Sequence, residues 1–155
     1  MAVWSPSTSR RSWPSTPSKT SIYDHISGRL LGESARINSN TMKVKEIAKL
    51  VDGEIVGAPV DETYEVKKAF ASDLMSDVLR FHMDDTVLIT GLCNNQTMRT
   101  SEMADLRVVL IGRDKQPDED MLELAEDADI TIIKSKYSIF KLSGILYAAG
   151  LEPLY

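Results

Sequence analysis

Two short stretches of this sequence carry polar side chains in a pattern suited to holding an anion. They are Thr90-Gly91-Leu92-Cys93-Asn94-Asn95-Gln96-Thr97 and Lys134-Ser135-Lys136-Tyr137-Ser138. Each follows a short β-branched run and precedes a helical segment, so each is a strand-to-helix turn. In an open parallel sheet such turns sit where ligands collect and where the next helix presents unpaired backbone N–H groups. The first stretch offers a flexible glycine and uncharged donors with no acid before Glu102, and the second adds two positive charges, three hydroxyls and an aromatic face. The candidate ligand-binding residues are therefore Thr90, Gly91, Asn94, Asn95, Lys134, Ser135, Lys136, Tyr137 and Ser138. They are expected to meet in one crevice, with Tyr137 placed to stack on a base. The alternative reading is that the threonine, asparagine and serine residues simply cap helices. The remaining strand end, Gly112 to Asp118, places carboxylates in the first turn of its helix, would repel phosphate, and reads as structural.

The rest of the search for chemistry is negative. None of the eight glycines lies in a phosphate-binding loop or a dinucleotide fingerprint. His25 lies in the tail and His82 at a helix end, so the folded part offers one histidine, and neither an H-E-x-x-H site nor a Ser-His-Asp order can be composed. Cys93 lies between a strand and a helix start, a position that could lower its thiol pKa, although a small residue packed under a loop is the plainer account. The acids from Asp118 to Asp129 lack the spacing and the glycine of a calcium loop and read as a solvated helix face. No catalytic set, metal set or cofactor site emerges, and an enzyme is not expected. An adenine nucleotide or phosphate would be a ligand rather than a cofactor.

The chain has 155 residues, enough for one ordinary domain. Its composition breaks near residue 41. Residues 1–41 hold ten serines, four threonines, three prolines and both tryptophans, with a net charge of +3. Such a stretch cannot sustain a periodic apolar face, so a disordered tail that contributes nothing to the fold is expected. Upstream or vector-derived sequence is the preferred account of it. A transit peptide is the alternative, opposed by Pro14 and Pro17. Residues 42–155 carry 13 basic and 21 acidic residues, net −8, which leaves nucleic-acid binding without an electrostatic footprint. No apolar run approaches the roughly 20 residues of a membrane span. A single cysteine and the lack of a secretory signal point to a reducing, cytoplasmic setting.

The elements that must position these residues follow from periodicity. Val44, Ile47, Ala48 and Val51 recur at helical spacing and end at Gly53. Strands are expected at Glu54–Val56 and Tyr64–Ala71, and a helix capped by Ser72-Asp73 or Ser76-Asp77 is expected through His82. Three β-branched runs, Thr86–Thr90, Arg107–Ile111 and Ile130–Ile133, begin 21 and 23 residues apart with helical segments between them. Short, continuously apolar strands alternating with helices imply an α/β fold, a mainly parallel sheet with helices on both faces. The middle helix starts at Pro117-Asp118-Glu119-Asp120, and the last runs from Ser138 to Ala149 and stops at Gly150.

The segments Lys43 to Ala48, Ala71 to Leu79, Val87-Leu88-Ile89-Thr90-Gly91, Ser138-Ile139-Phe140 and Gly144 to Tyr147 together resemble a stand-alone DRTGG-domain protein. The resemblance covers Met42 to about Leu151. The name-giving pattern is incomplete, with Leu92-Cys93-Asn94 after Thr90-Gly91 where relatives are more polar or glycine-rich. Such domains are similar to the regulatory middle domain of phosphate acetyltransferases, to the N-terminal domain of HPr kinase/phosphatase, and to an insert between CBS domains in some pyrophosphatases. The resemblance implies a non-catalytic α/β module used for oligomer contacts and, beside CBS domains, near an adenine-nucleotide site. The expected function is a regulatory module that senses a small anion or nucleotide. A structural adaptor and a phosphotransferase fragment are the alternatives. Phe140, Tyr147, Leu151, Leu154 and Tyr155 near the C-terminus form more apolar surface than one layer needs, so a homodimer or another protein partner is expected.

Overall fold

The computed structural model describes residues 41–155, and the expectations for the preceding 40 residues lie outside it. The described chain runs β1 (Met42–Lys43), α1 (Val44–Leu50), β2 (Glu54–Gly57), β3 (Glu65–Val66), β4 (Lys68–Ala71), α2 (Met75–Val78) and β5 (Thr86–Thr90). It continues through α3 (Asn95–Met103), β6 (Val108–Ile111), α4 (Glu119–Asp127), β7 (Thr131–Lys134), α5 (Ile139–Ala148) and β8 (Glu152–Pro153). Six strands form one sheet in the order β2-β7-β6-β5-β4-β8, and β1 pairs with β3 in a small antiparallel ladder. Neighbours from β7 to β8 are parallel; β2 lies antiparallel on β7 at the outer edge. The α/β class, the mainly parallel sheet and the helices on both faces are as expected.

The sheet is sandwiched because its central strands are apolar on both sides. Val87, Ile89, Val108, Leu110 and Ile133 pack with Val44, Ile47 and Ala48 of α1 and Leu142 and Leu146 of α5. The alternate residues Leu88, Val109, Ile111 and Ile132 pack on the opposite face with Met75 and Val78 of α2, Met98 of α3, and Met121 and Ala125 of α4. That period of two, buried on both sides, is what a covered parallel sheet requires.

Three local expectations change. The run Tyr64–Ala71 splits at Lys67, because the N–H groups of Lys67 and Lys68 both donate to the Asp85 carbonyl, at 2.8 and 3.1 Å, and the two halves join different sheets. The helix expected through His82 ends after a single turn at Val78. β8 is absent from the sequence reading, since two residues containing Pro153 carry no strand pattern.

Helices α1, α3, α4 and α5 close alike. In each, the residue two past the C-cap donates back to a carbonyl five residues earlier: Gly53 to Ala48, Leu106 to Ser101, Ile130 to Ala125 and Leu151 to Leu146. This Schellman closure needs a left-handed residue just before the donor, and Asp52, Asp105, Asp129 and Gly150 supply it. Asp105 and Asp129 have φ near 55°, where glycine is unstrained, and they place a negative charge at the negative end of the helix dipole. Changing both to glycine is therefore expected to stabilise the fold by about 1 kcal/mol, part of the gain being offset by a freer unfolded chain. A thermal melt with no rise in midpoint would refute this.

Candidate functional site

The ladder registers fix what the C-terminal edge of the sheet looks like. Thr90 pairs with Ile111, Ile111 with Lys134, and Lys134 with Glu54, so these four residues form one row across neighbouring strands. Thr90 and Lys134 are two strand spacings apart, about 9.6 Å, with the loop after β6 between them. The two candidate stretches therefore do not form one shared crevice. Their helices also leave on opposite faces, α3 toward one core and α5 toward the other. Periodicity located the strands, but strand order decides which loops are neighbours.

What the edge brings together is a cluster the sequence reading missed. Asp73, two residues past β4, receives three donors on its carboxylate. The Gly91 N–H donates to Oδ1 at 2.6 Å and the buried Thr90 hydroxyl to the same oxygen at 3.0 Å, while the Arg113 guanidinium donates to Oδ2 at 2.9 Å. The Leu92 N–H in turn donates to the Thr90 hydroxyl at 3.1 Å, which fixes its orientation. Gly91 lets Arg113 lie against the backbone, because a Cβ there would stand 2.5 Å from the guanidinium carbon. Burial pushes the Asp73 carboxyl up, but Gly91, Thr90 and Arg113 together outweigh it and hold the carboxyl below its ordinary value. Arg113 comes from the loop read as anion-repelling. The signal that could have found the pair is position, since each lies two residues past a parallel strand.

The remaining candidates have protein partners. Lys134 reaches Gln116 at 2.8 Å and Glu54 at 3.0 Å, and Lys136 reaches Asp52 at 2.7 Å. Hydrogen bonding and charge from Lys136 hold the Asp52 carboxyl down, and Asp52 raises Lys136 in return. The Ser135 hydroxyl donates to the Val51 carbonyl at 2.7 Å, and Ser138 and Asn94 cap α5 and α3 as the plainer reading expected. The Tyr137 ring carries the Lys141 ammonium 3.4 Å from its centroid. Asn95 lies in the first turn of α3, with a buried side-chain oxygen that has no hydrogen-bond partner. Lys134, Lys136, Asp114 and Gln116 line a shallow hollow of about 160 Å³. Burial raises the Cys93 thiol instead of lowering it, and its sulfur lies 3.8 Å from that of Met121.

The chain leaves β6 for one face through α4 and β7 for the other through α5, the point where open α/β sheets part to admit ligands. Here that parting is sealed by backbone. The Arg113 N–H donates to the Tyr137 carbonyl at 2.9 Å and the Asp114 N–H to the Ser135 carbonyl at 3.1 Å. Arg113 and Asp114 are consecutive left-handed residues, with φ of 67° and 55°, and this turn is what brings their N–H groups across. Among the described residues no group of histidine, cysteine or acidic side chains could hold a metal ion, and no helix is long and apolar enough to cross a membrane.

No protein-family model matches the sequence, and no curated protein does. The fold does have a counterpart. It is similar to the crystal structure of the CBS and DRTGG domains of the regulatory region of Clostridium perfringens pyrophosphatase, complexed with the activator diadenosine tetraphosphate. The TM-score is 0.61 at 13% sequence identity, over 85% of this chain. The chain spans 57% of the length of that structure, and the likeness is one of fold, a mixed α/β arrangement.

Proposed function

We propose that this chain is a DRTGG-type regulatory domain. In this reading it has no catalytic centre of its own, binds a small anion or a nucleotide along the strand-end edge, and passes the bound state to a protein partner or a second copy. The observation that carries the reading is the convergence of a backbone N–H, a buried hydroxyl and a guanidinium on one carboxylate, a donor set suited to a phosphate oxygen. It gains support from a fold similar to a regulatory region solved with a nucleotide activator. A ligand phosphate at the β4–β6 end of this edge competes with Asp73 for Arg113, and one at the β7 end competes with Asp52 for Lys136. Binding at either end is then coupled to the release of an internal ion pair, which gives the domain two states to report.

Calorimetric titration of AMP, ATP, acetyl phosphate and inorganic phosphate tests this. Charged contacts of this kind contribute about 0.3–1 kcal/mol each, so Lys134→Ala with Lys136→Ala should weaken binding by roughly threefold to thirtyfold. Asp73→Asn removes the competing charge and should tighten it by up to about fivefold. No heat with any of the four, or equal affinity in all three proteins, would favour the structural adaptor. The ion pairs already made by Lys134 and Lys136 are the observation on that side.

A further inference from the structure

Helix α5 has a composition that a single copy of the chain does not use. Between Ile139 and Ala148 its only charged residue is Lys141. Leu142 and Leu146 are fully buried against the sheet. The opposite side presents Phe140, 90% exposed, then Gly144, then Tyr147, 49% exposed. Spacings of four and three residues place these on one stripe. A helix that is apolar all round is expected to be covered all round. Gly144 sharpens the point. A mid-helix glycine weakens its helix, and a Cβ at this position would meet nothing within 4 Å, so packing within the chain gives no reason for it.

We propose that this stripe is a two-fold contact between copies of the chain, with Phe140 of each copy seated on Gly144 of the other. A second copy is favoured over an unrelated partner because the projecting ring and the notch lie on the same stripe one turn apart. Two antiparallel α5 helices crossing at a two-fold axis fill both notches at once, and such a contact closes on itself. With residue 140 opposite 144, Tyr147 comes opposite Tyr137 and Lys141 opposite Ser143, so no like charges meet. The Lys141 ammonium is already drawn onto its own Tyr137 ring. On the flank of the stripe, Ser143 and Tyr147 border an apolar groove of about 350 Å³ that continues to Leu154 and Tyr155. Of the five residues expected at this end from sequence, Leu151 is buried and belongs to the core rather than to the contact. The inference stands without the anion reading.

Light scattering on the full chain at tens of micromolar should return twice the 17.2 kDa chain mass. Gly144→Leu fills the notch without a clash inside the monomer, and Phe140→Ser removes a ring that touches little of its own chain. Each should raise the dissociation constant by about thirtyfold or more, the usual effect of losing a central aromatic contact, with the thermal midpoint of the monomer maintained. In a mixture of two single variants, Phe140→Cys and Gly144→Cys, mild oxidation should yield the mixed disulfide in preference to either self-pair. A monomer mass for the unaltered chain overturns the proposal, as does a Gly144→Leu protein that dimerises as before. Either result leaves the nucleotide and phosphate titrations unaffected, so the two readings fail separately.

Discussion

Replacing Asp73 by alanine is expected to destabilise the fold by about 2 kcal/mol. Most of this comes from donors left without an acceptor: the Gly91 N–H and the Thr90 hydroxyl, the latter belonging to a side chain with no solvent exposure. The Arg113 ion pair contributes less than about 1 kcal/mol, because both side chains are substantially exposed and screened by water. Asp73→Asn keeps an acceptor for Gly91 and Thr90 and should lose only the smaller, charge-dependent part. The pH dependence separates the two contributions. A carboxyl held below its ordinary value contributes stability that is fully present above the unfolded pKa, about 3.9, and is lost as pH falls through the lower folded value. Melting curves of the unaltered protein and Asp73→Asn should therefore differ at neutral pH and converge below about pH 4. A constant gap down to the most acid sample, or an alanine variant as stable as the parent, would show that the cluster holds nothing in place.

The second large effect is expected at Gly112. A Cβ there would lie 2.9 Å from the Tyr137 carbonyl oxygen and 3.0 Å from methyl groups of Ile139 and Leu142. The oxygen is backbone and already accepts the Arg113 N–H, so it cannot retreat without opening the seal between the β6 and β7 loops. Gly112→Val should cost about 3 kcal/mol, the upper range for overpacking a closed site. It should also speed hydrogen exchange at the Arg113 and Asp114 amides more than at the strand centres. An unchanged melting midpoint with unchanged protection would refute the seal.

The strands that were legible in the sequence are those whose burial is set locally. Thr86–Thr90 is found with its bounds unchanged, and the runs ending at Ile111 and Ile133 shift by one residue at most, because each is a β-branched stretch covered on both faces. Ser138 was legible as a helix start for a local reason, a side-chain oxygen accepting the N–H three residues on, whereas the helix expected from Pro117 begins at Glu119 because Asp118 takes the capping position. Strand order has no such local signature. That β6 stands between β5 and β7, and that β2 turns antiparallel at the edge, follows from which buried faces must meet. The candidate site suffered most from this. Asp73 and Arg113 are 40 residues apart and become partners only because β4, β5 and β6 stand side by side.

The last strand has a consequence for solubility under stress. Glu152 and Leu154 direct their N–H groups inward, to the carbonyls of Lys67 and Ala69, so the intervening position faces outward, and it is Pro153. A foreign strand approaching this rim finds no donor at that position and only two residues of ladder to extend. The rim is thus a poor template for fibril growth or strand exchange. When crowding or partial unfolding brings copies of the chain together, edge-to-edge growth is therefore disfavoured at this rim.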